Sequence, residues 1–377
     1  MKTSRFTPPP RVLLGPGPSD VPPRVLLAMA QPTIGHLDPA FVGMMEEVKA
    51  SLQYVFRTRN NVTLPISAPG SAGMEASLAN LVEPGDKVVV CRNGVFGARM
   101  ADIVGRVGGT AVLVDNAFGE AVDPDRLADA LRKNPDTKLV AFVHAETSTG
   151  VLSDAQAIAD VAHRAGALVL ADTVTAIGGV PVETDAWGLD AVYAGTQKCL
   201  SCPPGLSPLT LNERALEKVK GRRGKPHTWF LDLSLLMSYW GTGKRTYHHT
   251  APVNLLYALH EALVMLQEEG LEGSFARHRQ NHEELVAGLA GLGLEMAVPA
   301  AIRLPQLNSV LVPAGIDEAR VRADLLERFG IEIGAGLGEL AGKIWRIGLM
   351  GQGSNRRNVA LCLDGLRAAL AAQGYRP

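Results

Sequence analysis

One lysine closes the segment Ala191-Val-Tyr-Ala-Gly-Thr-Gln-Lys198, an apolar strand pattern that ends in a polar turn. A lysine so placed can condense with an aldehyde, provided burial or nearby positive charge keeps it neutral part of the time. Small residues Gly195 and Thr196 precede it, and Pro203-Pro204-Gly205 follows. Asp172 ends another apolar run, Leu168-Val-Leu-Ala171, 26 residues before Lys198 and one crossover away. A carboxylate there can keep a heteroaromatic nitrogen protonated. The pair meets the needs of pyridoxal phosphate, whose protonated ring is an electron sink. Taken singly, each has a plainer reading: a solvated surface lysine and a turn aspartate.

Other residues fit the same ligand. Ala68-Pro-Gly-Ser-Ala-Gly-Met-Glu75 opens a helix, where free N–H groups of Gly70, Ser71 and Ala72 and the helix dipole would hold a phosphate. The segment reads equally as a simple Gly-Ser helix start. No G-x-G-x-x-G follows the first strand, which disfavours a dinucleotide. Phe96, in Asn93-Gly-Val-Phe-Gly97, is either a stacking partner for a flat ring or a core residue. Thr147, in His144-Ala-Glu-Thr-Ser-Thr-Gly150, could bond the phenolic oxygen or the phosphate region. Arg346, inside the apolar strand Ile344–Ile347, wants a carboxylate, either a substrate's or an internal one. Tyr247-His-His-Thr250 follows Gly241-Thr-Gly-Lys-Arg245. Its adjacent histidines do not face one site, so we expect no metal.

The elements that must position these residues follow from the hydrophobic pattern. Strand signals at 87–91, 110–114, 139–144, 168–171, 190–194 and 206–211 alternate with helix signals at 72–81, 96–107, 123–133 and 155–165. Continuous apolar strands separated by helices predict an α/β fold with a mostly parallel sheet covered on both faces. Such sheets bind ligands beyond the carboxyl ends of their strands, just after Cys91, His144, Ala171 and Ala194. Beyond about Val253 come long helix patterns at 253–267 and 275–292. Strands at 307–312 and 344–347, a helix at 318–329 and a terminal helix from Arg357 complete a smaller α/β domain with an antiparallel sheet. We expect an N-terminal arm over 1–20, a large ligand-binding domain over 21–255 and a small domain over 256–377.

Composition narrows the function. A chain of 377 residues is long enough for two domains, and 46% hydrophobic with 20% charged residues is ordinary for a soluble globular enzyme. Its net charge of −1 and few aromatics point away from nucleic acid. No apolar run is long enough to span a bilayer, and Pro8-Pro9-Pro10 replaces a signal core after Lys2 and Arg5. Four cysteines in a chain this long fit a reducing cytoplasm, and Cys199-Leu-Ser-Cys202 lacks the second pair that zinc needs.

Together, Gly15-Pro-Gly-Pro18, Ser148-Thr-Gly150, Ala171-Asp172, Gly195-Thr-Gln-Lys198, Pro203-Pro-Gly205, Tyr247-His-His-Thr250 and Arg346-Ile-Gly348 resemble, in order and spacing, the class V aminotransferases of the fold-type-I pyridoxal-phosphate enzymes. Within these, the chain is most similar to the alanine–glyoxylate / serine–pyruvate group, from about Leu14 to the terminal helix. The resemblance implies that Lys198 is the Schiff-base lysine and Asp172 the partner of the ring nitrogen. Gln197, Gly70 and Ser71 would hold the phosphate. Phe96 would stack on the ring, Thr147 and Val174 would touch its edge, and Arg346 would clamp the substrate carboxylate. Tyr247 and Thr250 would reach the cofactor of a second subunit, which implies a homodimer with shared sites. Gly17 and its neighbours would lie near the substrate. Animal members carry tryptophan where this chain has Phe96 and serine where it has Pro69. Stacking survives the first change; the second removes a hydroxyl from the phosphate cup.

The expected reaction is therefore a ping-pong transfer of an amino group from alanine or serine to glyoxylate or pyruvate. Ureidoglycine–glyoxylate transamination is a neighbouring alternative, and Lys244 and Arg245 leave an acidic or larger donor open. A desulfurase would need a mobile cysteine, yet the candidate Cys362 lies in the apolar pattern Val359-Ala-Leu-Cys-Leu363. A binding protein without catalysis is disfavoured by the joint presence of Lys198, Asp172 and Arg346.

Overall fold

A computed structural model describes residues 5–241 and 245–376. Lys2 and Lys244 lie outside the described residues. In the first two thirds of the chain the elements are β1 (Val12–Leu13), α1 (Pro23–Met29), α2 (Pro39–Phe56), β2 (Val62–Ile66), α3 (Gly70–Leu81), β3 (Lys87–Arg92), α4 (Val95–Arg106), β4 (Thr110–Asp115) and α5 (Pro124–Lys133). They continue with β5 (Thr137–Val143), β6 (Ala145–Glu146), β7 (Val151–Leu152), α6 (Ala155–Arg164), β8 (Leu168–Asp172), β9 (Ala191–Tyr193), β10 (Ser207–Leu211), α7 (Glu213–Lys220) and α8 (Leu233–Trp240). The remainder holds α9 (Val253–Glu269), α10 (Leu271–Gly291), β11 (Leu307–Leu311), α11 (Glu318–Phe329), β12 (Ile331–Glu332), β13 (Gly334–Ala335), β14 (Ile344–Gly348) and α12 (Arg356–Ala371).

Seven strands form the central sheet in the order β2-β10-β9-β8-β5-β3-β4. Strands β9, β8, β5, β3 and β4 run parallel. Only β10 runs against its neighbours, β2 and β9. The expected α/β architecture with a mostly parallel sheet is therefore present. Its middle strands carry continuous buried apolar runs between polar end residues, as expected where helices cover both faces. Local signals fix the joints. Asp123 accepts from the N–H groups of Asp125 and Arg126 with Pro124 in the first turn, and Asp154 caps α6 in the same way.

A second core gathers Leu14, Leu285, Trp345, Ile347 and Cys362, among others, under the antiparallel sheet β11-β14-β13. Two features depart from the expected division at 255. Helix α9 buries Leu256, Leu259 and Leu263 in the large core, as does the start of α10 with Phe275. The arm pairs Val12 and Leu13 with Ile331 and Glu332, which ties it to the smaller unit. The division we propose therefore falls inside α10, with the arm counted to the smaller unit. Helices α1, α2, α7 and α8 and strand β2 lie outside the predicted elements. Among the described residues no helix is long and apolar enough to cross a membrane.

Candidate active site

The sheet register brings the chemistry together. Asp172 pairs with Val143 on one side and Tyr193 on the other, so the carboxyl ends of β5, β8 and β9 meet at one level. A cavity of about 90 Å³ opens there against the start of α3. Gly70, Ser71, Phe96, Thr147, Asp172, Val174, Gln197 and Lys198 line it, joined by Met74, Arg99, Val143, Ala145 and Thr175.

Lys198 is 8% exposed. Burial lowers its ammonium from an ordinary 10.5 to about 8, and the neighbouring Arg346 charge works in the same direction. The backbone beside it is pinned: Ser19 Oγ donates to the Lys198 carbonyl at 2.7 Å, and Ser19 N donates to the Gln197 carbonyl at 2.8 Å. Nζ donates to the Pro16 carbonyl of the arm. Gly17 follows with φ +109°, and a Cβ there would collide with the lysine side chain, so glycine is required twice over. The arm thus touches the lysine directly.

Asp172 is 4% exposed, and burial lifts its carboxyl from 3.8 to about 6. Tyr193 Oη donates to Oδ2 at 2.6 Å and Val174 N donates to Oδ1 at 2.8 Å. The turn role expected of a plain aspartate is present, but it engages only one oxygen. The Tyr193 phenol is itself held well above its ordinary value by burial and by Asp172, so it donates and does not ionise.

Both ionised groups are costly in the unloaded protein. A raised acid contributes stability below its unfolded pKa of 3.8 that is lost as pH rises through about 6. A lowered amine contributes stability above 10.5 that is lost as pH falls through about 8. Near neutrality each shift is worth about 3 kcal/mol against the fold. A ligand that brings a cation to Asp172 and takes the amine of Lys198 into a covalent bond relieves both.

At the other end of the cavity, Pro69 caps α3 without a side-chain bond. Among the described residues no protein acceptor meets the N–H of Gly70 or Ser71. Ala72 departs from the expectation: its N–H donates to the Pro69 carbonyl at 2.7 Å and is not free for an anion. Gln197 Oε1 is buried without a partner. Arg99 was not anticipated. Its guanidinium lies 4.9 Å from the Phe96 ring centroid, and Nη1 donates to Ser71 Oγ at 3.1 Å. Spacing of i, i+3 on one helix was the available signal.

Arg346 is 6% exposed. Nε donates to the Ala335 carbonyl at 2.6 Å and Nη1 to the Thr147 carbonyl at 3.1 Å. Among the described residues no carboxylate lies within salt-bridge distance of it; burial lowers its pKa, and the charge of Glu146 opposes that. Tyr247 is 60% exposed, and Thr250 is exposed as well; neither lines the cavity of its own chain. His249 Nε2 and Ser67 Oγ lie 2.7 Å apart, and burial and His248 lower His249 to about 4. Arg245 is engaged elsewhere, with Glu46 and the Tyr239 carbonyl. Cys362 is fully buried in the second core, where burial pushes its thiol up to about 12. It is no mobile nucleophile.

The family described as Aminotransferase class-V matches residues 11–345. The chain is 41% identical over 365 residues to alanine–glyoxylate aminotransferase of Callithrix jacchus, covering 96% of this chain and 88% of that protein. It is 44% identical to a solved alanine–glyoxylate aminotransferase from Nostoc sp., with a TM-score of 0.96 and 98% of each chain covered. It is 40% identical to a solved ureidoglycine–glyoxylate aminotransferase from Bacillus subtilis, with a TM-score of 0.96, 99% of this chain and 96% of that chain covered.

Proposed function

The chain belongs to the class-V aminotransferase family, and from that premise we propose that it binds pyridoxal phosphate at Lys198 and moves the amino group of alanine or serine to glyoxylate or pyruvate. One observation carries the cofactor reading. A buried amine and a buried carboxylate, both displaced from their ordinary pKa by burial, face one cavity whose far wall offers unpartnered N–H groups at Gly70 and Ser71. Bound there, pyridoxal phosphate supplies an aldehyde and an electron-withdrawing ring.

The residues divide the work. Lys198 Nζ, neutral in part near pH 8, is the group that would hold the cofactor's aldehyde carbon and would take up the proton that leaves the substrate carbon. Asp172, backed by Tyr193 and Val174, holds the proton on the ring nitrogen. Phe96, which lines the cavity, would stack on the ring, and Thr147 and Val174 would border its edge. Gly70, Ser71 and Gln197 take the phosphate, with the amide of Gln197 turned so that its N–H₂ faces the anion. Arg346 presents its guanidinium fork to the substrate carboxylate, and Gly17 leaves room beside Lys198.

Tyr247 and Thr250 are surplus to their own cavity, and Trp229 and Phe230, packed against the intervening His248, are exposed as well. That placement supports a homodimer in which they reach the partner's cofactor. All four cysteines are free and buried, in keeping with a reducing compartment, and we place the reaction in the cytoplasm.

Two outcomes test this. L-alanine or L-serine added without acceptor shifts the near-visible absorbance of the loaded protein, and glyoxylate restores it. No shift with any small amino acid defeats the proposal, and a shift confined to ureidoglycine moves it to the Bacillus subtilis type of reaction. Separately, the rate at which Lys198 captures pyridoxal phosphate rises with pH and levels off with a midpoint near 8. Stopped-flow mixing across the titration reads this directly, and a midpoint near the ordinary 10.5 contradicts the burial argument.

A further inference from the structure

We infer that Glu146 is a positioning residue that caps, from a distant strand, the helix carrying Phe96, and so sets where that ring stands over the cofactor cavity. The inference rests on the reading that the cavity holds pyridoxal phosphate.

Helix α4 begins behind Gly94, which has no side chain to offer as a cap. The first N–H groups of a helix need acceptors from elsewhere. They find them 50 residues later in the chain: Phe96 N donates to Glu146 Oε2 at 3.2 Å, and Val95 N donates to Ser148 Oγ at 3.0 Å. The N–H of Gly97 also points to the Glu146 carboxylate. The other oxygen, Oε1, accepts from Ser148 N at 3.0 Å and from Ser148 Oγ at 2.6 Å.

Every partner of Glu146 is a donor, so the acceptor-only carboxylate fits and an amide does not. Glu146 is fully buried. A Cβ at Gly94 would collide with the Glu146 side chain and with Ser148 Oγ. The remote carboxylate therefore fills the space that a local cap would occupy. Nearby Asp123 and Asp154 cap α5 and α6 from the ordinary adjacent position.

The consequence reaches the cofactor through the backbone of Phe96. Its N–H is fixed by Glu146, while its ring lines the cavity and carries the Arg99 guanidinium. Thr147, the next residue, takes a bond from Arg346. One buried carboxylate thus ties the stacking residue to the strand end whose next carbonyl accepts from Arg346.

The test is a double-mutant cycle on pyridoxal-phosphate affinity, read by visible circular dichroism while titrating cofactor into apo-protein. Glu146→Gln raises the dissociation constant about tenfold, the size of one lost cap. In a Phe96→Leu background the same change costs less than about twofold, because the ring it positions is gone. Thermal unfolding of the apo-protein reports any general loss of stability separately. Equal losses in both backgrounds overturn the inference, since Glu146 then acts by its charge. A lowered melting temperature with unchanged affinity overturns it too. If Glu146→Gln fails to fold, Ser148→Ala enters the same cycle, with about a threefold loss expected only when Phe96 is present. If wild-type protein gives no induced band, the cofactor reading falls and takes this inference with it. If only the coupling is missing, the cofactor reading stands.

Discussion

Replacing Lys198 with alanine lowers kcat/KM for amino transfer by about 10⁴-fold or more, while the apo-protein melts no lower than wild type. The kinetic loss follows from the contents of the cavity. Its lining offers two nitrogen cations, Lys198 and Arg99. A guanidinium stays protonated and cannot serve as nucleophile or proton acceptor. No other lining group replaces Nζ. The stability half follows from burial. Charged Lys198 is held at about 8, so near neutrality it costs the apo-fold about 3 kcal/mol. Alanine removes that cost and offsets the loss of the packed side-chain stem. Steady-state kinetics and a melting curve on one preparation check both halves. A large drop in melting temperature would mean that Lys198 serves the fold.

Asp172→Asn lowers kcat by about 10³-fold, the scale of removing a preorganised charge from an enclosed site. It also raises the melting temperature of the apo-protein. The asparagine keeps the shape and one acceptor, so either Tyr193 or Val174 retains its bond. What is lost is the negative charge that keeps the ring nitrogen protonated. The gain in stability comes from the same charge: the carboxyl titrates near 6, so at neutral pH its ionised form costs about 3 kcal/mol in the empty cavity. The gain therefore fades as pH falls through about 6, where wild-type Asp172 becomes neutral. Activity and stability moving in opposite directions mark a residue strained for function. Activity and stability falling together would assign Asp172 to the fold.

Legibility varied with the length scale of the signal. Lys198 and Asp172 could be read because each ends an apolar run, and parallel sheets present ligands at those ends. Phe96, Gly70 and Ser71 could be read as strand-end and helix-start residues. Tyr193 has no local signature, because only the β8–β9 register sets its hydroxyl on Asp172. Glu146 was hidden for the same reason. Within His144–Gly150 it looks like one polar residue among several, and its role depends on α4 lacking a cap of its own.

The division we propose lies beyond the one expected from the sequence, because the change in hydrophobic texture marks where the α/β alternation ends. It does not mark where packing changes sides. Gly15 to Pro18 was expected near the substrate, and Gly17 does touch Lys198, but the pairing of Val12 with Ile331 has no local signature.

The central claim is that Lys198 is the residue that takes the cofactor covalently. Loading the protein with pyridoxal phosphate, reducing it with borohydride and locating the modified peptide by mass spectrometry tests this most directly. The account predicts one stoichiometric phosphopyridoxyl group, on Lys198 alone. Label on surface lysines with Lys198 unmodified would contradict it.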